Sequence, residues 1–164
     1  MTRWFRPIAA FFLVFTLAVP SAAAAAVCKP VTGHFEAVLV LPGEGHCPSD
    51  PMAFCTAGRV WGGIQGTYEF VMTAAEPSIL LGGVPTVLFF TGKSVIVLKS
   101  GDQLFGTDTG SIDSLPGGQG GFASLITFTG GTGEALNATG QIRLRGELGA
   151  GTTEGDYTGR LCTP

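Results

Sequence analysis

The chain has 164 residues, a formal net charge of −3, 26 glycines and four cysteines. Its mild acidity argues against nucleic-acid binding, which needs a basic stripe or patch. The glycines follow no three-residue period, which excludes collagen, and the Val, Ile, Leu and Phe segments between them speak against disorder.

Arg3 and Arg6 precede an uncharged apolar run from Ile8 to Val19, followed by Pro20, Ser21 and the alanines Ala22 to Ala26. This is the plan of a helical, cleavable signal peptide over residues 1–26, with small residues at the cleavage site after Ala26. The run is too short for a retained anchor, since a spanning helix needs about 20 apolar residues. Val27 before Cys28 disfavours lipid attachment at that cysteine. The expected organisation is therefore 1–26 signal peptide and 27–164 a single exported domain, with no membrane span in the mature protein. Loss of Arg3 and Arg6 takes the charge from −3 to −5.

All four cysteines lie in the mature part. An even count in an exported chain predicts two disulfides. The preferred pairing is Cys47–Cys55, closing a Pro-rich loop, with Cys28–Cys162 tying the termini. On the chain-entropy model these contribute about 2–3 and about 4–5 kcal/mol. A metal site is not expected: there is no C-x-x-C, and His34 and His46 lack ligand spacing to the cysteines.

Residues 32–41 read as a first strand, and 42–56 as a loop. Strands are predicted over 59–65 and 67–73. Residues 86–90 and 94–99 flank Thr91-Gly92-Lys93, read as a hairpin turn. A strand at 102–108 precedes a Gly/Pro-rich loop at 111–121. Strands at 122–129, 139–148 and 155–162 complete the chain. About eight short strands at hairpin spacing, with no helical period, predict an all-β fold, either a small closed barrel or a sandwich. In 141–148 polar and apolar residues alternate strictly. Gln141, Arg143, Arg145 and Glu147 share one face, Ile142, Leu144, Gly146 and Leu148 the other. A solvated outer face over a packed inner one is the simpler reading. The sharper one turns Arg143 and Arg145 into a barrel pocket.

Phe128-Thr129-Gly130-Gly131-Thr132-Gly133, followed by Ala138-Thr139-Gly140, resembles the GGTG…A-x-G signature of dirigent proteins and the allene oxide cyclase barrel. The segments Phe105 to Gly110 and Gly155 to Cys162 fit the same group. Cys47-Pro48 to Gly58 resembles a bacterial exported branch of it. The likeness is best over residues 102–162 and thin before residue 59. It implies an eight-stranded antiparallel β-barrel with an interior cavity. Members of the group steer a reactive substrate by confinement and orientation, usually without a cofactor. The matched residues Gly130, Gly131, Thr132, Gly133, Ala138 and Gly140 carry a turn and close packing and supply no reactive group.

No catalytic set is complete. There is no G-x-S-x-G. Gly92-Lys93-Ser94 fails as a P-loop, because Val87 stands where its first glycine belongs. Asp102, Asp108 and Asp113 match no calcium loop and read as turn residues. The pocket candidates are Arg59, Trp61, Tyr68, Glu69, Arg143, Arg145 and Tyr157, charged and aromatic residues within the predicted strands. Two functions follow. One is an exported barrel holding a small apolar ligand or a surface partner, with a homo-oligomer as a further form of assembly. The other is a cofactor-free isomerase or cyclase of the dirigent type. A cavity of a few hundred Å³ with a buried Arg/Glu or Tyr/Asp pair would favour the second; a filled apolar interior, a structural role.

Overall fold

A computed structural model describes residues 26–78, 80–81, 84–113 and 119–164. The expected signal peptide lies outside them but for its last residue. The strands are β1 (Val27–Val40), β2 (Cys55–Gly62), β3 (Gly66–Pro77), β4 (Leu80–Leu81), β5 (Val84–Pro85), β6 (Val87–Leu98), β7 (Gln103–Asp113), β8 (Gly120–Gly131), β9 (Thr139–Gly149) and β10 (Thr152–Thr163). Eight of them close into an antiparallel barrel in the order β1-β10-β9-β8-β7-β6-β3-β2. The two-residue strands β4 and β5 form a separate small hairpin in the connection from β3 to β6. Among the described residues no helix is long and apolar enough to cross a membrane.

Alternation explains the barrel. Successive side chains of a strand point to opposite faces. In β6, Phe90, Ser94 and Ile96 are buried while Phe89, Thr91 and Lys93 are exposed. In β9, Ile142 and Leu144 are buried while Gln141, Arg143, Arg145 and Glu147 are exposed. The simpler reading of 141–148 is therefore the correct one, and Arg143 and Arg145 face away from the lumen.

The expected hairpin at Thr91-Gly92-Lys93 is not a turn. β6 runs unbroken through it, and Gly92 pairs with Met72 and Asp108 on either side. A Cβ at Gly92 would stand 2.2 Å from the Phe70 ring. At Gly110 it would stand 2.6 Å from the Phe90 ring. These glycines are gaps on the inner wall into which neighbouring phenylalanines fit, so turn punctuation was the wrong explanation for them. Phe70 and Phe90 then meet edge to face, with ring centroids 5.6 Å apart, a favourable geometry for aromatic pairs.

One end of the barrel is plugged. Val31, Val60, Ile64, Ile96, Leu104, Ile126, Phe128 and Ile142 fill it. Tyr157 reaches across the lumen there: its hydroxyl donates to the Ile64 carbonyl at 3.1 Å and accepts the Ile64 N–H at 2.7 Å. Burial pushes its phenol pKa up, against the bonds from the Ile64 and Gly63 backbone that pull it down. The turn from β8 to β9 covers this end with a short 3₁₀ segment, Gly133–Ala135. Gly133 and Gly140 have φ of 53° and 118°, a region open to glycine but strained for other residues. Ala135 and Ala138 sit beneath them, fully enclosed. The turn-and-packing role read from Gly130 to Gly140 agrees with this.

Both expected disulfides are formed. Cys28–Cys162 staples β1 to β10 at the seam that closes the barrel, and Cys47–Cys55 ties the β1–β2 loop to the start of β2. They span 134 and 8 residues of sequence, and loop-closure entropy grows with that span. Replacing Cys28 and Cys162 with serine is expected to cost about 5 kcal/mol, and replacing Cys47 and Cys55 about 2.5 kcal/mol. Urea unfolding of the two double variants checks the order. Tyr157→Phe is expected to cost about 1–3 kcal/mol, because it leaves the buried Ile64 carbonyl and N–H without their partner. The same measurement tests it.

Candidate functional site

Among the described residues the other end of the lumen is open. It is the end at which β1, β3, β7 and β9 finish and β2, β6, β8 and β10 begin. A cavity of about 50 Å³ enters there, walled by Phe35, Phe54, Phe70, Phe90, Phe122, Ile112, Leu144 and Leu148. Phe54, Ile112, Phe122, Leu148 and Thr153 are half-buried and form its rim. Phe35 and Phe122 meet edge to face at 5.7 Å.

The floor of this cup is polar. Asp108 projects inward from the middle of β7 and is 2% exposed. Ser94 of β6 donates to its Oδ2 at 3.0 Å, and Ser124 of β8 donates to its Oδ1. The Tyr68 hydroxyl on β3 lies 3.4 Å from Ser94 Oγ. With the Ser94 proton committed to Asp108, Tyr68 is the donor to Ser94. The chain runs Tyr68 to Ser94 to Asp108, with Ser124 closing from the far side. Four strands each supply one member, at neighbouring positions of the sheet: Tyr68 is paired with Ile96, Ser94 with Gly106, and Gly110 with Ser124.

Burial pushes the Asp108 carboxyl up, against hydrogen bonds from Ser124, Ser94 and the Thr109 backbone that pull it down. Burial, and then the Asp108 charge, push the Tyr68 phenol above its ordinary range. Tyr68 therefore stays a neutral donor, and Asp108 is the titrating group of the cup. No buried side-chain nitrogen or oxygen among the described residues lacks a partner.

The sequence candidates divide between two faces. Tyr68 and Tyr157 lie inside, Tyr68 in the cup and Tyr157 in the plug. Arg59, Trp61, Arg143 and Arg145 lie on the exposed outer face, and Glu69 is half-exposed. Arg59 donates to Glu36 through Nε at 3.0 Å. Glu69 stands 4.0 Å from His46 Nδ1. His34 pairs with Asp156, and its ring lies 5.9 Å from that of Trp61. Arg59, Glu36, Trp61, His34, Asp156, Arg143 and Arg145 line depressions of the outer face, and neither they nor Glu69 and His46 enter the cup.

Sequence reasoning missed Asp108, Ser94 and Ser124. Asp108 is not a turn residue; it sits mid-strand with its side chain in the lumen. The signal was its phase: Asp108 is two steps of two from both Leu104 and Ile112, and Ser124 is two from Phe122 and Ile126. Asp102 does serve a turn, accepting from the Ser100 hydroxyl and from the Glu134 N–H. No group of three or more His, Cys, Asp or Glu able to hold a metal occurs among the described residues.

Comparison with protein-family models, with curated proteins and with solved structures finds no match to this chain. The class that the fold defines is a disulfide-stapled, eight-stranded antiparallel β-barrel, plugged at one end and, among the described residues, open at the other.

Asp108 is held above its ordinary pKa, so its ionisation opposes folding. The penalty is absent below the unfolded-state pKa, near 3.9, and grows as pH rises through the folded-state value. Asp108→Asn keeps an acceptor for the serines and removes the charge. Its melting temperature relative to wild type is expected to rise between about pH 4 and neutrality. A difference that stays constant across that range would show that Asp108 does not titrate as described.

Proposed function

We propose that this protein is an exported binding barrel that holds a small apolar ligand in the open cup. The observation that carries this reading is the cup itself: an unfilled, phenylalanine-walled cavity with a polar floor, in a barrel whose other end is packed solid. Small-molecule sites combine apolar walls with a few placed polar groups in this way. The two disulfides fit maturation in an oxidising compartment, as the expected signal peptide over residues 1–26 requires. The volume of about 50 Å³ suits a small ligand or one end of a longer one, and falls short of the few hundred Å³ that enclosing a whole polyketide-sized substrate would need.

A second reading is a cofactor-free isomerase or cyclase, as the resemblance to the dirigent and allene oxide cyclase group implies. One observation favours it: the buried Tyr68–Ser94–Asp108 chain joins a carboxyl whose pKa burial raises to a line of hydroxyl groups that could pass a proton. In that reading Asp108 is the acid–base group and Tyr68 its relay.

Toluene titrated into the exported protein, followed by NMR of the Leu144, Leu148 and Ile112 methyl groups, tests the cup. Saturable shifts confined to those groups are expected. Thr153→Trp, which adds a large side chain at the rim, is expected to weaken them by about tenfold or more while leaving the melting temperature within a few degrees. Shifts that do not saturate, or that survive Thr153→Trp unchanged in a folded protein, would overturn the binding reading.

A further inference from the structure

The cup contains a carboxyl group without a countercharge. Of the side chains that line it, only Asp108 and Tyr68 titrate, and Tyr68 remains neutral. The ion pairs among the described residues, His34–Asp156, His46–Glu69 and Arg59–Glu36, are all made elsewhere. A buried carboxylate is costly unless it is paired and hydrogen-bonded. Here the hydrogen bonds are supplied, by Ser94, Ser124 and the Thr109 backbone, and the positive partner is not.

We propose that the ligand of this cup is an organic ammonium ion with an apolar tail, its charged head on Asp108 and its tail among the phenylalanines of the mouth. This rests on the binding reading above and names the ligand class for that site. Three features carry it. The protein's own donors already occupy both oxygens of Asp108, so what the carboxylate still lacks is positive charge more than another hydrogen bond. The surrounding walls are phenyl rings, among them Phe35, Phe70, Phe90 and Phe122, and aromatic faces attract organic cations in a desolvated site. A bare metal ion finds too few oxygen ligands, since Asp108 is the only carboxylate lining the cup among the described residues. An anionic ligand is repelled by the same group.

Three probes of equal length test this: n-hexylammonium, 1-hexanol and hexanoate, titrated into the exported protein and followed by NMR. Expected is binding of hexylammonium tighter than 1-hexanol by on the order of tenfold, with hexanoate weakest. That preference should fade as pH falls and Asp108 takes up a proton, while 1-hexanol affinity holds steady. Asp108→Asn should reduce the hexylammonium-to-hexanol ratio to near one. The wild-type comparison and its pH dependence stand even if the variant does not fold. Equal affinity for hexylammonium and 1-hexanol in the wild type would overturn the ammonium assignment and leave the cup as a neutral apolar site. Failure of all three probes to bind would instead overturn the binding reading beneath it.

Discussion

Closure of the sheet through the pairing of β1 with β10 is the constraint on which everything else depends. Without that seam the inward residues of eight strands would face water, and the lumen would not exist. The pairing runs from Val27–Thr163 to Val38–Thr152 without interruption, and Cys28–Cys162 sits near its outer end. Closure also leaves the barrel without a free edge, which a chain of this β-branched and aromatic content needs.

A small closed barrel must fill its interior from eight converging walls, and this one does so by exchanging volume between neighbouring strands. Glycine on one wall admits an aromatic ring from the next: Gly92 takes Phe70, Gly110 takes Phe90, and Gly33 takes Tyr157. Interiors are close-packed, so each ring fits only because its neighbour has no side chain. Aliphatic side chains with Phe128 and Tyr157 fill the plugged end, and a gap is left at the mouth, lined by Phe54, Phe122 and Leu148. The cup is what remains after the glycine and aromatic positions have been matched.

The Asp108 cluster works against stability and is held in place by the same closure. A carboxylate on the inner wall gives up its water, and three hydrogen bonds return only part of that. Its serine partners come from the strands on either side of β7, 14 and 16 residues away in sequence. Polar groups supplied at a cost to folding are the usual mark of a site built for something beyond the fold. The outer-face pairs are different in kind: Arg59–Glu36 and His34–Asp156 are solvated and contribute little.

Much was legible from the amino acids alone. Short alternating segments bounded by glycine made the fold all-β. The even cysteine count gave two disulfides, and the alternation of residues 141–148 gave the facing of β9. The GGTG motif marked a real turn at the plugged end. What misled was glycine. At Gly130 to Gly140 it means a turn, whereas at Gly92 it means space for a ring on the next strand, and no local pattern separates the two. Asp108 was misread as a turn residue, although its phase with Leu104 and Ile112 places it on the inner wall. Local sequence therefore determined most of the strands and their phase, which depend on neighbours one or two residues away, and the even cysteine count determined the number of staples. Only the tertiary structure decided which residues share the lumen, because Tyr68, Ser94, Asp108 and Ser124 become neighbours through pairing across four strands.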